Sequence, residues 1–440
     1  MNTATTATTN LSPAIQRFDP LLFMPDSHGV NEAIGHVIPH LDTGSLAQCA
    51  KVNRHFNREC NKAIWRAPSF QDGYLYNPLR LLNRFIDLLP VLRPETQALV
   101  TVLDLSHIEE SLYESVRPHF FDALTRYTPN LQVLKMVKTS FLTLSSVRGT
   151  GRLEYLRALD LSYCEHISDD LLVELAPRVP RLAYLRLDSL GSDAGGERGL
   201  AAFADHCDSL ESVSIRYNDT ITNGALTALA KFGKIHVKEV DLTGCAYVTP
   251  IGLAAMARFN INLQYLSLAK TACDVNHAIA FLTGRSARYL RHLDLGFCAS
   301  LDDPMAADRI ASVLWNEAER PAPSLECLAI SLSVAKAMLG RGPCPCPILF
   351  LVVHGLHQDT PMQLLTALLA SFPSARQIAF TRDEPEDEYM SFYSDVPDPS
   401  TSRHYINQDT IKQFNLCQNN VLVTLTNDRE KIDGLTMHHW

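Results

Sequence analysis

Cysteine and histidine are the residues of this chain best suited to chemistry, and one short segment holds four of them. Cys344 and Cys346 are followed closely by His354 and His357. Thiolate and imidazole are ligands that Zn²⁺ prefers, but C-x-C followed by H-x-x-H is not a standard zinc spacing. The alternative is structural, with cysteines between prolines where two structural units join and histidines at the end of a strand. We therefore predict no metal site and no cofactor.

Nucleophilic catalysis by a cysteine paired with a histidine is the second chemistry to consider, since the chain has 11 cysteines and 16 histidines. No spacing singles out one pair, and neither H-E-x-x-H nor C-x-x-C occurs in the sequence. The run from Gly191 to Gly196 does not fit a phosphate-binding loop and is interpreted as a turn. We therefore predict that the protein is not an enzyme.

Composition indicates a folded protein and argues against two classes of partner. Hydrophobic residues make up 46% of the chain, and the net charge of −9 disfavours nucleic acid, whose phosphates are neutralised by Lys and Arg. No apolar run approaches the roughly 20 residues of a membrane-spanning helix, so no membrane partner is expected. The first residues lack the apolar stretch of a secretory signal. Residues 1–18 are predicted to be a disordered tail, and we expect a cytoplasmic or nuclear location with reduced thiols.

The elements that must position the side chains come from a repeat, L-x-x-L-x-L. Successive central copies start between 25 residues (131 to 156) and 28 residues (182 to 210) apart. The fourth and sixth positions point to the same side of a strand, and an apolar stretch with helical period follows each copy. The seven central copies begin at Leu131, Leu156, Leu182, Leu210, Val237, Leu263 and Leu290, and two weaker copies begin at Val100 and Leu325.

Stacked copies share a core that one strand and one helix cannot form alone. The predicted fold class is therefore α/β, a leucine-rich-repeat solenoid over residues 99–382, with parallel strands inside a horseshoe and helices outside. Residues 375–380 and 421–425 are interpreted as degenerate copies. We predict an acidic loop at 383–402 and a degenerate repeat or C-terminal cap at 403–440.

The ninth position of the repeat holds Cys164, Cys245 and Cys298 in three copies and Asn218 in another. A small side chain there is predicted to fill the bend after the strand, and Asn is also able to satisfy backbone groups. The segments LDLSYCEHISDD (159–170) and VDLTGCAYVTPIGL (240–253) resemble the cysteine-containing subclass of leucine-rich repeats.

The inner face of the predicted horseshoe is the candidate binding site for a protein substrate. Aromatic residues and Arg are enriched at the energetically dominant positions of protein interfaces. The alternative is that Asp160, Asp241 and Asp294 fill a frequent consensus position and that the exposed tyrosines are ordinary surface. The candidate substrate-binding residues are Tyr163, Tyr184, Arg186, Arg216, Tyr217, Asp241, Tyr265, Lys270, His292 and Phe297.

Residues 28–70 differ from the repeats and predict a small all-α module of three short helices, the second capped by Thr43 or Ser45. A helical linker at 71–98 follows. The stretch HLDTGSLAQCAKVNRHFNRECNKAIWR (40–66) resembles an F-box, with Phe56 where Trp is usual, Asn53 where Cys is frequent, and no clearly placed opening Leu-Pro. By this resemblance, the adaptor-binding residues are Leu41, Leu46, Cys49, Val52, Arg54, Phe56, Ile64 and Trp65.

An F-box-like module directly before cysteine-type repeats resembles the F-box/leucine-rich-repeat proteins. The resemblance implies the substrate-recognition subunit of an SCF (adaptor–cullin–F-box) ubiquitin ligase, with the adaptor and cullin scaffold and a protein substrate as partners. The alternative is a leucine-rich-repeat interaction scaffold with no ubiquitin role, whose N-terminal helices cap the end of the solenoid.

Overall fold

The computed structural model describes residues 36–70, 77–106, 108–191, 197–232, 237–260, 262–316, 321–357, 360–382, 405–406, 408–417 and 421–425. The predicted tail at 1–18 and the whole of the predicted acidic loop at 383–402 lie outside them. The chain divides into two compact units between Trp65 and Arg66.

Short helices form the described part of the first unit. A 3₁₀ turn at Ile38–His40 is followed by α1 (Thr43–Cys49) and α2 (Arg54–Arg66, whose last residue begins the second unit). Asp42 caps α1, because its carboxylate accepts hydrogen bonds from the Ser45 backbone N–H at 2.9 Å and from the Ser45 hydroxyl at 2.6 Å. The predicted cap at Thr43 or Ser45 was therefore wrong, since the aspartate just before them supplies two acceptor oxygens.

The second unit begins with α3 (Pro78–Leu88) and α4 (Pro94–Gln97), within the predicted helical linker. Asn77 caps α3, and the first residue of that helix is a proline, whose missing N–H would be unpaired in any case. Leu79, Leu82 and Ile86 are buried along one face of α3. This helix packs beside the first helix of the repeats.

One sheet of twelve parallel strands runs through the second unit, and each strand pairs with the next along the chain. The strands are β1 (Val102–Asp104), β2 (Val133–Lys135), β3 (Ala158–Asp160), β4 (Tyr184–Arg186), β5 (Ser212–Ser214), β6 (Glu239–Asp241), β7 (Tyr265–Ser267), β8 (His292–Asp294), β9 (Cys327–Ser331), β10 (Phe350–Leu356), β11 (Gln377–Arg382) and β12 (Leu422–Leu425). The predicted fold class, a leucine-rich-repeat solenoid, is confirmed. Both C-terminal segments interpreted as degenerate copies contribute a strand.

A helix follows most strands and packs against the helix of the next repeat. Several start at a side-chain cap, for example Ser168, Asp274 and Asp303. The helices are α5 (Phe120–Tyr127), α6 (Leu144–Val147), α7 (Asp169–Leu175), α8 (Glu197–His206), α9 (Asn223–Phe232), α10 (Pro250–Phe259), α11 (Val275–Thr283), α12 (Pro304–Leu314), α13 (Leu332–Ala337), α14 (Met362–Ser371) and α15 (Gln408–Cys417).

The core lies between the strands and these helices. The first, fourth and sixth positions of all nine predicted repeat copies are at most 1% exposed. Burying one such aliphatic side chain stabilises the fold by about 1.5–3 kcal/mol, so the repeat pattern is also the pattern of the core. The third and fifth positions of each copy point to the opposite side of the sheet. We call that side the strand face.

Candidate functional site

The strand face consists of two rows of side chains, because the parallel register aligns equivalent positions of successive repeats. The third-position row contains the predicted site residues Tyr184, Tyr265 and His292, and the fifth-position row contains Arg186 and Asp241. Tyr265 and His292 lie on paired strands, and their rings stack with centroids 4.3 Å apart. Both are buried, at 7% and 6% exposure, whereas Tyr184 is 38% exposed. The two stacked rings therefore form a buried floor of the strand face and do not project from it.

Buried charges form a row across the centre of this face. The Arg216 Nε donates to the Asp241 Oδ2 at 2.6 Å, and the Arg186 guanidinium lies 3.9 Å from Asp160 and 3.8 Å from Asp188. A buried carboxylate is unfavourable unless it is paired and hydrogen-bonded. The alternation of Asp and Arg from neighbouring repeats meets that requirement. Asp241 and Arg216 were predicted as site residues, and the structure brings them into one ion pair.

Asp188 belongs to this row and was missed by the sequence reasoning. Its Oδ1 accepts from the Ser214 hydroxyl at 2.6 Å and from the Arg216 backbone N–H at 2.9 Å. Burial raises the pKa of Asp188 to about 6, although the nearby Arg216 guanidinium acts in the opposite direction. Asp188 occupies the seventh position of its repeat, a position that the L-x-x-L-x-L pattern leaves unconstrained.

The eighth position of seven consecutive repeats has a left-handed backbone conformation. Its φ angles lie between 50° and 73°, a region that costs a residue with a side chain about 1–2 kcal/mol. Backbone N–H groups of this row donate to the carbonyl of the next repeat, for example Tyr163 to Asp188 at 2.7 Å and Lys270 to Gly296 at 2.9 Å. We call these residues the rim row: Lys138, Tyr163, Ser189, Tyr217, Gly244, Lys270 and Phe297.

The two lysines of the rim row each lie near an aromatic ring of the same row. The Lys270 ammonium lies 6.0 Å from the centre of the Tyr217 ring and 5.5 Å from that of Phe297, so one cation is held between two rings. Tyr217 and Lys270 belong to repeats that are not neighbours, and Gly244 lies between them. A Cβ at Gly244 would overlap the Tyr217 ring. Four predicted site residues, Tyr163, Tyr217, Lys270 and Phe297, thus fall in one row.

The end of the strand face holds a buried contact between a histidine and an aspartate. His354 lies 3.7 Å from the Asp294 carboxylate through Nε2, while its Nδ1 is hydrogen-bonded to the Thr381 hydroxyl at 2.9 Å. Burial acts to raise the pKa of Asp294, but His354, the Gly296 backbone N–H and His292 together outweigh burial, so the pKa lies below its usual value. Gly296 leaves room for the imidazole ring, because a Cβ there would overlap it. His354 is therefore packed against Asp294 and Thr381 of the sheet.

The cysteines and histidines that could have formed a zinc site do not meet in one cluster, because the Cys344 and Cys346 thiols contact each other while the His354 imidazole contacts Asp294 and Thr381. The backbone N–H of Cys344 donates to the Ser371 carbonyl at 2.7 Å, and the Cys346 thiol lies 3.3 Å from the Pro321 carbonyl. Across the described ranges, no group of three or more His, Cys, Asp and Glu side chains is arranged to hold a metal ion. Within those same ranges, no helix is long and apolar enough to cross a membrane.

Side chains at the ninth position share three carbonyl acceptors. The Cys164 thiol donates to the Met136 carbonyl at 2.9 Å, and the Thr139 hydroxyl donates to that same oxygen at 3.0 Å. Asn218 and Cys245 share the Ile215 carbonyl, and Thr271 and Cys298 share the Leu268 carbonyl, in the same manner. The predicted role of this position in the bend is confirmed. The two threonines were missed, although their hydroxyls were a readable signal.

The predicted adaptor-binding residues divide between the core and the surface of the first unit. Leu41, Leu46, Cys49, Phe56 and Ile64 pack in one cluster with Ile38 and Cys60. Val52 is 65% exposed and Arg54 is also exposed, while Trp65 is half-buried. Val37, a further apolar side chain, is 54% exposed. Val37, Val52 and Arg54 are thus the most exposed of these side chains, and Trp65 is partly accessible.

Comparisons with known proteins agree with the repeat. A family model described as leucine-rich repeat matches residues 152–176, which contain the second central copy. No curated protein matches the chain.

Similar solved structures include the leucine-rich repeat-containing protein LegL7 from Legionella pneumophila, at 14% identity and a TM-score of 0.40, covering 75% of this chain and 99% of that one. The Rad7 and Elc1 complex of yeast matches at 14% identity and a TM-score of 0.39, covering 79% and 95%. A complex of TLR13 with the RNA ssRNA13 matches at 16% identity and 0.34, covering 64% and 42%. The family match shows that the chain contains a leucine-rich repeat.

Proposed function

We propose that the strand face and the rim row bind a protein substrate, and that the first unit links this substrate to an SCF-type ubiquitin ligase. The rim row is the observation that carries the binding part of the proposal. Tyr163, Tyr217, Lys270 and Phe297 are each held in a backbone conformation that costs about 1–2 kcal/mol. Such local strain is found where a side chain must be presented in one position. Aromatic side chains are also well suited to interfaces, since their large apolar area is rigid.

The proposed mechanism is binding rather than bond making. A substrate held on the strand face is kept close to the ligase, which raises its effective concentration there. The buried floor of Tyr265, His292 and the Asp–Arg row supplies rigidity, and the half-exposed Tyr163, Tyr184 and Tyr217 supply contact area. Phe297, Lys270 and Arg186 complete the proposed surface.

The proposed adaptor site lies on the first unit. Leu41, Leu46, Cys49, Phe56 and Ile64 would act by holding the helices together, and Val52, Arg54 and Trp65 by direct contact with the adaptor. Exposed apolar side chains such as Val37 and Val52 are unfavourable in water. A partner that covers them removes them from water, which favours association. The F-box resemblance of residues 40–66 and this exposure support the proposal together.

An affinity purification of the tagged full-length chain tests the ligase part. Val52→Asp places a carboxylate on the proposed contact without touching the cluster around Leu46, and we expect adaptor and cullin to be recovered at about a tenth or less of the wild-type amount. Gln48→Asp is the matched control, since it introduces the same charge at an exposed position of α1, four residues before Val52. Equal recovery of adaptor and cullin by all three proteins would overturn the proposed contact at Val52, and their absence from all three would leave the chain as an interaction scaffold without a ubiquitin role.

A further inference from the structure

A polar pocket lies near the start of the second unit, outside the strand face. It encloses about 420 Å³ between α3 and the turn at residues 111–114. Helix α3 contributes Arg80, Asn83, Arg84 and Asp87 to its wall, which lie on one side of the helix at spacings of three and four residues. The turn and the segment after it contribute Tyr113 and Arg117, among others. The wall is therefore rich in arginine.

The positive charges of the pocket are only partly neutralised. Arg80 pairs with Glu114 at 3.1 Å, and Arg117 pairs with Asp87 through two hydrogen bonds of 3.0 and 3.3 Å. Arg84 has no hydrogen-bond or ion-pair partner among the residues that the structure describes. Arg80 and Arg84 are four residues apart on an exposed helix face, where like charges destabilise the helix. The fold gains nothing from this pair, whereas an anion in the pocket would.

The other wall of the pocket is held firmly. The Asn83 side chain donates to the Ser115 carbonyl at 2.9 Å and accepts from the Arg117 backbone N–H at 3.0 Å, which fixes the turn on α3. Backbone hydrogen bonds between Ser111 and Glu114 close the turn. At its tip, Leu112 and Tyr113 are 98% and 97% exposed. Two large apolar side chains on a rigid turn are thus directed into solvent beside a cationic pocket.

We propose that this pocket and the Leu112–Tyr113 tip form a docking site for an acidic segment of a protein partner, separate from the strand face. An anionic side chain, either a carboxylate or a phosphate group, accepts hydrogen bonds from Arg84 and Arg80. Leu112 and Tyr113 contact apolar residues next to it. Asp87 and Glu114 also line the pocket. Their negative charges and the net charge of −9 disfavour a polyanion such as nucleic acid. A peptide with a few negative charges and flanking apolar residues fits this mixture better.

Fluorescence anisotropy on the full chain tests the proposal with three labelled peptides. The first alternates glutamate with leucine, the second has phosphoserine in place of glutamate, and the third has glutamine. We expect one or both anionic peptides to bind at least about tenfold more tightly than the glutamine peptide, and the tighter of the two identifies the anion. Arg84→Glu is expected to weaken that binding about tenfold, and Leu112→Ser combined with Tyr113→Ser at least about threefold.

Arg148→Glu is the matched control, because Arg148 is also exposed and lies outside the pocket. Its affinity for the anionic peptide should equal that of the wild type. The proposal is overturned if neither anionic peptide binds, if the glutamine peptide binds equally well, or if Arg84→Glu and Arg148→Glu have the same effect. Tighter binding of a labelled single-stranded oligonucleotide than of either anionic peptide would also overturn it.

Discussion

At the scale of single residues, the strand face is set by how its charges are buried. Asp188 and Asp241 are 5% and 2% exposed, and each is matched by hydrogen bonds from a neighbouring repeat. Removing one partner of such a pair is more damaging than never having had the pair, because the remaining charge stays out of water. Loss of either partner of the Arg216–Asp241 pair is therefore expected to destabilise the row.

Asp188→Asn is predicted to change the pH dependence of stability. The pKa of Asp188 is raised by burial from 3.8 to about 6, so the folded state binds its proton more tightly than the unfolded state. The stability that the fold gains from the proton on Asp188 is fully present below pH 3.8 and is lost as the pH rises through about 6. The difference of about 2.2 pH units corresponds to roughly 3 kcal/mol.

Urea unfolding of both proteins between pH 4 and pH 7 measures this effect. The free energy of unfolding of the wild type should fall relative to that of Asp188→Asn as the pH rises. Asp170→Asn, which removes an exposed carboxylate, controls for the loss of one negative charge. Parallel curves for wild type and Asp188→Asn would show that Asp188 titrates normally in the folded protein.

At the scale of the elements, the turns after β2 to β8 carry the rim row, which we propose faces a partner. The left-handed residue of each turn lets the backbone N–H reach the carbonyl of the next repeat, so hydrogen bonding continues past the end of the three-residue strands. Most repeats place a residue with a side chain here despite the strain. Gly244 is the exception, and it makes room for the Tyr217 ring.

Gly244→Ala is predicted to destabilise the second unit more than Gly149→Ala. Both glycines have a φ near 74°, so both substitutions carry the backbone cost of about 1 kcal/mol. Only the Cβ at Gly244 would meet a neighbour, whereas nothing lies within 4 Å of the one at Gly149. We expect a loss of about 2–3 kcal/mol for Gly244→Ala, since the Tyr217 ring must move as well. Guanidinium unfolding of the two variants measures this difference, and equal losses would mean that Tyr217 moves aside freely.

At the scale of the second unit, the sheet is a linear stack in which each strand is supported by its two neighbours. Stability in such a stack is a sum of repeat and interface contributions, so strands with one neighbour depend on fewer contacts. Within the described residues β12 pairs with β11 alone, and its Leu422 is 52% exposed. Val240, in the middle strand β6, is fully buried between two paired strands.

Native-state hydrogen exchange is therefore predicted to be graded along the sheet. The amides of β12 should exchange at least about a hundredfold faster than those of β6, because local opening of the terminal strand breaks contacts with only one neighbour. Exchange measured by mass spectrometry of peptides covering 239–241, 377–382 and 422–425 follows the gradient. Equal protection in all three would indicate that the whole sheet opens as one cooperative unit.

The aliphatic spacing was enough to predict the sheet, its order and its core. The aliphatic residues at the first, fourth and sixth positions pack within their own repeat and against the same positions of the next repeat. A short period in the sequence therefore determines how all the repeats stack. The bend-filling role of Cys164, Cys245 and Cys298 was predictable for the same reason. The cap at Asp42 was missed because several capping residues lie side by side in the sequence.

The tertiary structure alone decided which outward-pointing residues are buried and which remain available. Tyr265 and His292 stack on each other, Asp188 joins Arg216, and His354 reaches Asp294 across a glycine. Each of these contacts joins different repeats, and each depends on the size of the side chain that the neighbouring repeat places beside it. A periodic pattern of aliphatic residues states nothing about those sizes. The sequence therefore determined the solenoid, and the packing between repeats determined its surface.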